Sequence, residues 1–217
     1  MASKLGEAKV VGTAKAASLE PEALVQLARR GDSAAYGELV ERYQDRIYNA
    51  LYRISGHRED ARDLTQDAFV QAFASLESFR GRSGFYTWLF RIGVNLALSH
   101  RRRQRFSPTR LPQDSDGNPA AWAAEAEHRR RLAGNRPGNP EQEAERGELQ
   151  TAVWEAMGCL SAEHRAILVL REVEGFDYEQ IGQVLELPAG TVRSRLHRAR
   201  AALREQLGPM LREGAEP

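Results

Sequence analysis

Three groups of residues have the types and spacing to bind a polyanion or a basic surface. In the first, Phe79, Phe85, Tyr86 and Trp88 alternate with Arg80, Arg82 and Arg91, with Ser83 among them. Rings offer stacking platforms for unpaired bases while arginines follow phosphates, and each stacked base is worth about 1–3 kcal/mol. Phe79 and Phe85 flank a glycine-containing loop and are expected to be exposed. Trp88 and Phe90 are expected in the core, or in a dual role. Asn95, two turns beyond Trp88, can hydrogen-bond a base edge. His100 with Arg101, Arg102 and Arg103 makes a basic end suited to duplex phosphates.

The second group lies in residues 189–207, which carry five arginines against Glu205 alone. Val192, Leu196, Ala199 and Leu203 fall at i, i+4, i+7 and i+11 and form one apolar stripe. Arg193, Ser194, His197 and Arg198 point away from it, near the helix start. A short helix, a tight turn and this basic helix describe a helix-turn-helix, whose second helix enters the major groove by that end. Arginine there pairs with two guanine acceptors, and serine reads several edges. Thr191 is placed to hold a phosphate, helped by the exposed amides of the helix start. A surface helix with salt-bridging arginines is the alternative, but partner acids are nearly absent from it.

The third group is acidic. Asp60, Asp63 and Asp67 stand at i, i+3 and i+7, sharing a face with Gln66 beside them. A metal site would need a histidine or further carboxylate to complete it. An anionic dock for a basic protein is the more economical reading. The segregation is sharp: residues 59–77 hold five acids against Arg62, whereas 79–105 hold seven arginines and no acid. Charges that merely decorate solvated helix faces need not separate in this way.

The elements that must position these groups are helices. Residues 20–30 carry Leu24, Leu27 and Ala28 at helical spacing, with Gly31 as the stop. Asp32 caps a second helix, with Leu39, Ile47 and Leu51 among its inward residues, closed by Gly56. Residues 59–76 form a third, burying Ala61, Leu64, Ala68, Phe69, Ala72 and Phe73. Residues 79–84 read as a loop, and a fourth helix runs from Phe85 to about Arg103. The composition then changes: residues 104–147 hold five of the nine prolines and read as a linker. Within it, 119–132 could form a short helix around Trp122. Helices resume at 140–157, after Ser161, and at 177–185, where Asp177 and Gln180 make a capping box. A last helix runs to about Leu207, stopped by Gly208 and Pro209.

The expected fold class is therefore all-α: two small helical domains, 19–103 and 148–208, joined by a long flexible linker, with tails at 1–18 and 209–217. The chain has 217 residues, a net charge of +1 and one cysteine, so a disulfide framework and a cysteine zinc site are excluded. Its longest aliphatic run, residues 166–170, is far below the ~20 residues of a membrane span. Residues 1–17 lack an apolar signal core, which points to the cytoplasm. No metal cluster, phosphate-cradling glycine loop or nucleophile–base set is visible, so no catalysis, cofactor or small-molecule substrate is expected.

Several motifs, in order, carry a resemblance. Residues 60–69 (Asp-Ala-Arg-Asp-Leu-Thr-Gln-Asp-Ala-Phe) look like region 2.2 of an extracytoplasmic-function (ECF, group 4) sigma factor of bacterial RNA polymerase. Residues 78–81 (Ser-Phe-Arg-Gly), 85–92 (Phe-Tyr-Thr-Trp-Leu-Phe-Arg-Ile) and Val94-Asn95 look like regions 2.3 and 2.4. Residues 178–181 (Tyr-Glu-Gln-Ile) and 190–200 (Gly-Thr-Val-Arg-Ser-Arg-Leu-His-Arg-Ala-Arg) look like region 4.2. The match spans about residues 19–207, and the sigma-E type is the nearest subgroup.

The resemblance implies a non-enzymatic transcription initiation factor. It places Asp60, Asp63, Gln66, Asp67 and Phe69 on the β′ clamp helices of core polymerase, and the region 4 domain on the β-flap. It implies that the loop 79–85, with Asn95, holds a flipped base of the minus-10 element, single-stranded. It assigns minus-35 duplex reading to Arg193, Ser194, His197 and Arg198. It further implies an anti-sigma factor that hides both domains and could retain the protein at a membrane. Arg82, Gly84 and His197 depart from the family pattern at positions that set base preference. An ordinary helix-turn-helix repressor would need dimerisation and a palindromic site, and it leaves the aromatic–arginine loop unexplained.

Overall fold

The structure is a computed structural model that describes residues 19–105 and 140–213. Trp122 and the short helix expected around it lie outside the described residues. Eight α-helices follow in order: α1 (Pro21–Arg29), α2 (Ser33–Ser55), α3 (Arg58–Ala74), α4 (Phe85–Arg105), α5 (Pro140–Gly158), α6 (Ala162–Leu168), α7 (Tyr178–Leu185) and α8 (Ala189–Glu213). A 3₁₀ turn, Leu76–Ser78, follows α3, and a π turn, Val169–Val173, extends α6.

Local chemistry sets most of the boundaries. The Asp32 carboxylate accepts from the amides of Ala34 and Ala35, at 3.0 and 3.1 Å, and starts α2. Such a cap satisfies amides that have no partner within the helix. Ser161 accepts from the His164 amide and starts α6. The capping box of α7 is complete: Gln180 N donates to Asp177 Oδ1 at 2.8 Å, and Asp177 N donates to Gln180 Oε1 at 2.9 Å. Helix α5 begins at Pro140, where the helix at 140–157 was expected and within the 104–147 segment read as linker, and proline's fixed φ suits a first turn. One boundary differs from expectation. Helix α8 passes through Pro209 to Glu213. The proline forfeits only the hydrogen bond from its own nitrogen, and later amides can still donate one turn back.

In the first domain α2, α3 and α4 pack mutually, with α1 across α2. Leu24, Leu39, Ile47, Leu51, Ile54 and Leu89 are fully buried there. Burying such a side chain is worth about 1.5–3 kcal/mol. In the second domain α8 packs on α5, α6 and α7. Val192, Leu196 and Ala199 bury their stripe in one apolar cluster with Ile181 and Val184. Helix α7 also packs along α4, and α6 against α2, so the second domain rests on the first.

Candidate nucleic-acid interface

The loop at residues 79–84 is pinned at both ends by rings that face inward. Phe79 is 6% and Phe85 1% exposed, against the expectation that both would be surface platforms. Phe79 meets Phe85 edge-on at 6.0 Å and Trp88 at 5.2 Å, while Phe85 lies 5.7 Å from Trp88 and 5.8 Å from Tyr43. Rings of this area gain more from mutual burial than a short glycine-containing loop can offset by exposing them. Trp88 and Phe90 are buried, as one of the two expectations had it.

What the anchored loop shows to solvent is basic and small. Arg80, Gly81 and Arg82 are exposed and Ser83 is half-buried. With Trp88 and Arg91 they line a cavity of about 690 Å³ whose floor includes Phe79. Pockets of this size accept small organic groups. A second cavity of about 450 Å³ continues along α4, lined by Gln71, Arg91, Asn95 and Ser99 with Trp88 as shared wall. Arg80, Arg82, Ser83, Trp88, Arg91 and Asn95 are thus gathered along one wall. Arg101 is not with them: it is 4% exposed and engaged within the fold, whereas Arg102 beside it is exposed. Adjacent residues on a helix point about 100° apart, so a basic run cannot present every member to one ligand.

Tyr86 is spent on a contact between domains. Its hydroxyl donates to Glu174 Oε2 at 2.6 Å, and the Arg46 guanidinium lies over its ring at 4.0 Å. Burial, and then the Glu174 carboxylate, push the Tyr86 phenol far above its ordinary range.

On α3 the acidic group divides. Asp63, Gln66 and Asp67 are exposed. Asp60 turns toward the end of α4, where Gln104 Nε2 donates to it at 3.2 Å and His100 Nδ1 stands 3.8 Å away. Phe69, assigned to the dock by resemblance, is buried, and its carbonyl accepts the Tyr36 hydroxyl at 2.5 Å. Phe73, expected in the core, is 55% exposed, and Val70 is 62% exposed. At helical spacing Val70 and Phe73 continue the stripe of Asp63 and Gln66, so the face is acidic at one end and apolar at the other. Sequence reading missed Val70; the signal available was its position outside the buried period.

The second domain presents a projecting helix. Arg193, Ser194, His197 and Arg198 are all exposed at the start of α8. Ser194 Oγ donates to the Thr191 carbonyl at 3.1 Å, and Arg198 Nε to the Ser194 carbonyl at 3.4 Å. The amides of Thr191 and Val192 both donate to the Pro188 carbonyl. The Thr191 amide is thus already engaged within the helix start. The turn before α8 is tight: Leu187 N donates to the Gly182 carbonyl at 2.9 Å, and Glu186 sits at φ 54°. A Cβ at Gly182 would stand 2.9 Å from the Leu187 carbonyl oxygen, so the turn admits glycine there and nothing larger without a shift. Sequence reading did not single out Gly182.

Among the described residues no group of three His, Cys, Asp or Glu side chains is placed to hold a metal, and no helix is long and apolar enough to cross a membrane. A basic helix-turn-helix beside a helical domain with an arginine-rimmed aromatic cavity has the features of a DNA-binding protein. Residues 39–107 match the family model for sigma-70 region 2, and residues 150–203 that for sigma-70 region 4. The chain is 38% identical to the RNA polymerase sigma-H factor of Pseudomonas aeruginosa, covering 89% of this chain and 97% of the relative. It is 37% identical to the ECF RNA polymerase sigma-E factor of Escherichia coli, over the same shares. Among solved structures it is similar to CnrH in complex with the cytosolic domain of CnrY (27% identity, TM-score 0.57, covering 87% of this chain and 97% of that one). The fold also matches the sigma factor RpoE of Bartonella quintana, solved with the anti-sigma factor NepR (22% identity, TM-score 0.54, 80% and 96% covered). The chain belongs to the ECF sigma factors of the sigma-70 family, which are transcription initiation factors and not enzymes.

Proposed function

We propose that this sigma factor brings core RNA polymerase to promoters by reading two elements with its two domains. The first domain takes the minus-10 element as a single strand. Its arginines, Arg80, Arg82 and Arg91, follow the phosphates, and the cavity above Phe79 and Trp88 receives a flipped base. Asn95 contacts a base edge farther along α4, and Arg102 meets duplex phosphates beyond. Extrusion of a base costs a few kcal/mol, which cavity contacts and stacking must offset. The second domain reads the minus-35 element in the major groove through Arg193, Ser194, His197 and Arg198, with Thr191 on a phosphate. Asp63, Gln66 and Asp67 dock on the β′ clamp helices, joined by exposed Val70 and Phe73, and the second domain docks on the β-flap. Asp60 and Phe69 support that face from within. An anti-sigma factor, the kind of partner with which RpoE of Bartonella quintana was solved, is the expected regulator, and cytoplasmic location follows from the polymerase.

The observation that carries this reading is the pairing, in one chain, of an arginine-rimmed cavity with an exposed recognition helix. The test is run-off transcription with purified bacterial core polymerase on DNA from upstream of this gene. The Asp63→Arg plus Asp67→Arg variant runs in parallel. Transcript from the wild type alone supports the reading and the dock. Failure of the wild type to bind core, together with tight binding of duplex DNA by the chain alone, would leave a repressor instead.

A further inference from the structure

The basic surface around the loop at residues 79–84 continues onto α1. That helix ends against the 3₁₀ turn Leu76–Ser78, and its last residue, Arg29, and capping residue, Arg30, are both exposed. Gly31, at φ 91°, then turns the chain toward α2. The Arg29 guanidinium leaves its own helix: Nη2 donates to the Glu77 carbonyl at 3.4 Å. Ser78, the next residue, lines both cavities. Three residues of chain, at most about 11 Å, lead from Glu77 to Arg80. Arg29 therefore stands beside the rim that Arg80 and Arg82 form, with Arg30 next to it in the chain.

A helix C-terminus favours a nearby cation through its dipole. That accounts for one arginine, but not for a guanidinium directed at another element or for a second arginine in the cap. Within residues 29–32 and 77–82 the acids are Asp32 and Glu77, against four arginines. The Asp32 carboxylate is engaged by the amides of Ala34 and Ala35. The line also has a direction. Helix α4 has 21 residues, about 30 Å, with Arg102 near one end and the loop at the other. Arg29 lies at the loop end, away from Arg102. A strand that parts from duplex at Arg102 and gives one base to the cavity meets Arg29 as it leaves.

We infer that Arg29 and Arg30 hold phosphates of the open DNA strand beyond the cavity, so that α1 adds a single-stranded DNA contact to the first domain. The inference rests on the assignment of that cavity to a flipped base. Both arginines precede residues 39–107, the segment that the region 2 model matches. A guanidinium pairs with a phosphate through two parallel hydrogen bonds. Such contacts position the strand without reading its sequence, and their strength falls as salt rises.

The test uses the full chain assembled with core polymerase. The wild-type holoenzyme first selects promoters from a pool of random-sequence duplexes. A selected promoter is rebuilt as a fork whose single-stranded tail is either long or cut back to the minus-10 element. Binding is followed by fluorescence anisotropy across a range of salt. The long tail should bind the wild type roughly tenfold more tightly than the short one. Arg29→Ala with Arg30→Ala should lose that gain and lower the salt slope by about 1.4, at ~0.7 per phosphate on a single strand. On the short tail it should match the wild type. Arg29→Lys with Arg30→Lys should keep most of the gain, as charge alone requires. Equal binding of the long tail by the wild type and the alanine variant would overturn the inference and leave the cavity assignment standing. Equal loss on both tails would also overturn it, because Arg29 would then act only by supporting the loop through Glu77. A wild type that binds the short-tailed fork no better than plain duplex would remove the cavity assignment, and this inference with it.

Discussion

The two surfaces proposed to read DNA are built on opposite plans. The first domain makes a concave site: a loop pinned by buried rings, with arginines on the rim and a tryptophan as the wall. The second makes a convex one: a helix whose stripe is buried and whose reading residues stand in solvent. A concave site shares its residues with the core, so changes that touch recognition also touch stability. A projecting helix separates the two, because its outward side chains are exposed and lie off the buried stripe. The position of α7 adds an asymmetry. Gln183 of that helix enters the lining of the concave cavity, whereas Arg193, Ser194, His197 and Arg198 stand exposed.

The strongest break of this contrast comes from Phe85→Ala. Phe85 is 1% exposed and touches Phe79, Trp88 and Tyr43, so its truncation should cost about 3–5 kcal/mol. Denaturant melts followed by hydrogen exchange should show the loss in α2 to α4, while amides of α8 keep their protection. Equal loss in both domains would mean they unfold as one unit. Next comes Gly182→Ala, where the added methyl meets the Leu187 carbonyl oxygen at 2.9 Å. The expected penalty is about 1–3 kcal/mol, confined to the second domain, with duplex binding weakened and single-strand binding spared. A neutral result by the same exchange measurement would show that the turn relaxes.

Asp177→Ala removes half of the α7 capping box and should cost about 1 kcal/mol, read as a lowered melting transition of the second domain. The smallest effect is on alkaline stability. Burial pushes the Tyr36 phenol up to about 12, and Tyr86 is raised further. Unfolded tyrosines ionise near 10, so above that pH the unfolded chain loses these protons first. The stabilisation is complete below about pH 10 and fades as pH rises through the folded values. Ultraviolet titration should show phenolate from exposed tyrosines first, with Tyr36 and Tyr86 late. Uniform ionisation near the ordinary value would show that the Tyr86–Glu174 contact is open in solution.

Much of the fold was legible because its signals are local. Asp32, Ser161 and the Asp177–Gln180 pair mark helix starts through hydrogen bonds that span two or three residues. The stripe Val192–Leu196–Ala199 names its own buried face by period alone. The exposure of Arg193, Ser194, His197 and Arg198 was legible for the same reason, since they lie off a well-defined stripe. Pro209 misled because proline weakens a helix without always ending it, and whether the helix stops or continues there depends on what surrounds it.

The candidate site in the first domain was legible in composition but not in orientation. Phe79 and Phe85 looked exposed beside glycines, yet each is buried by the other and by Trp88. Phe73 looked buried, yet beyond Tyr36, 4.8 Å away, it faces solvent. Asp60 and Arg101 sit in charged runs and turn inward. By itself the sequence determined the helices, the two domains, the charge segregation and the exposed basic face of α8, because these follow from periodicity, capping and composition within a few turns of chain. Tertiary structure alone decided which rings became floor and which became surface, and joined Glu174 to Tyr86 and Arg46, 88 and 128 residues away. The physical reason is that burial and pairing of a side chain are settled by whatever distant segment packs against it.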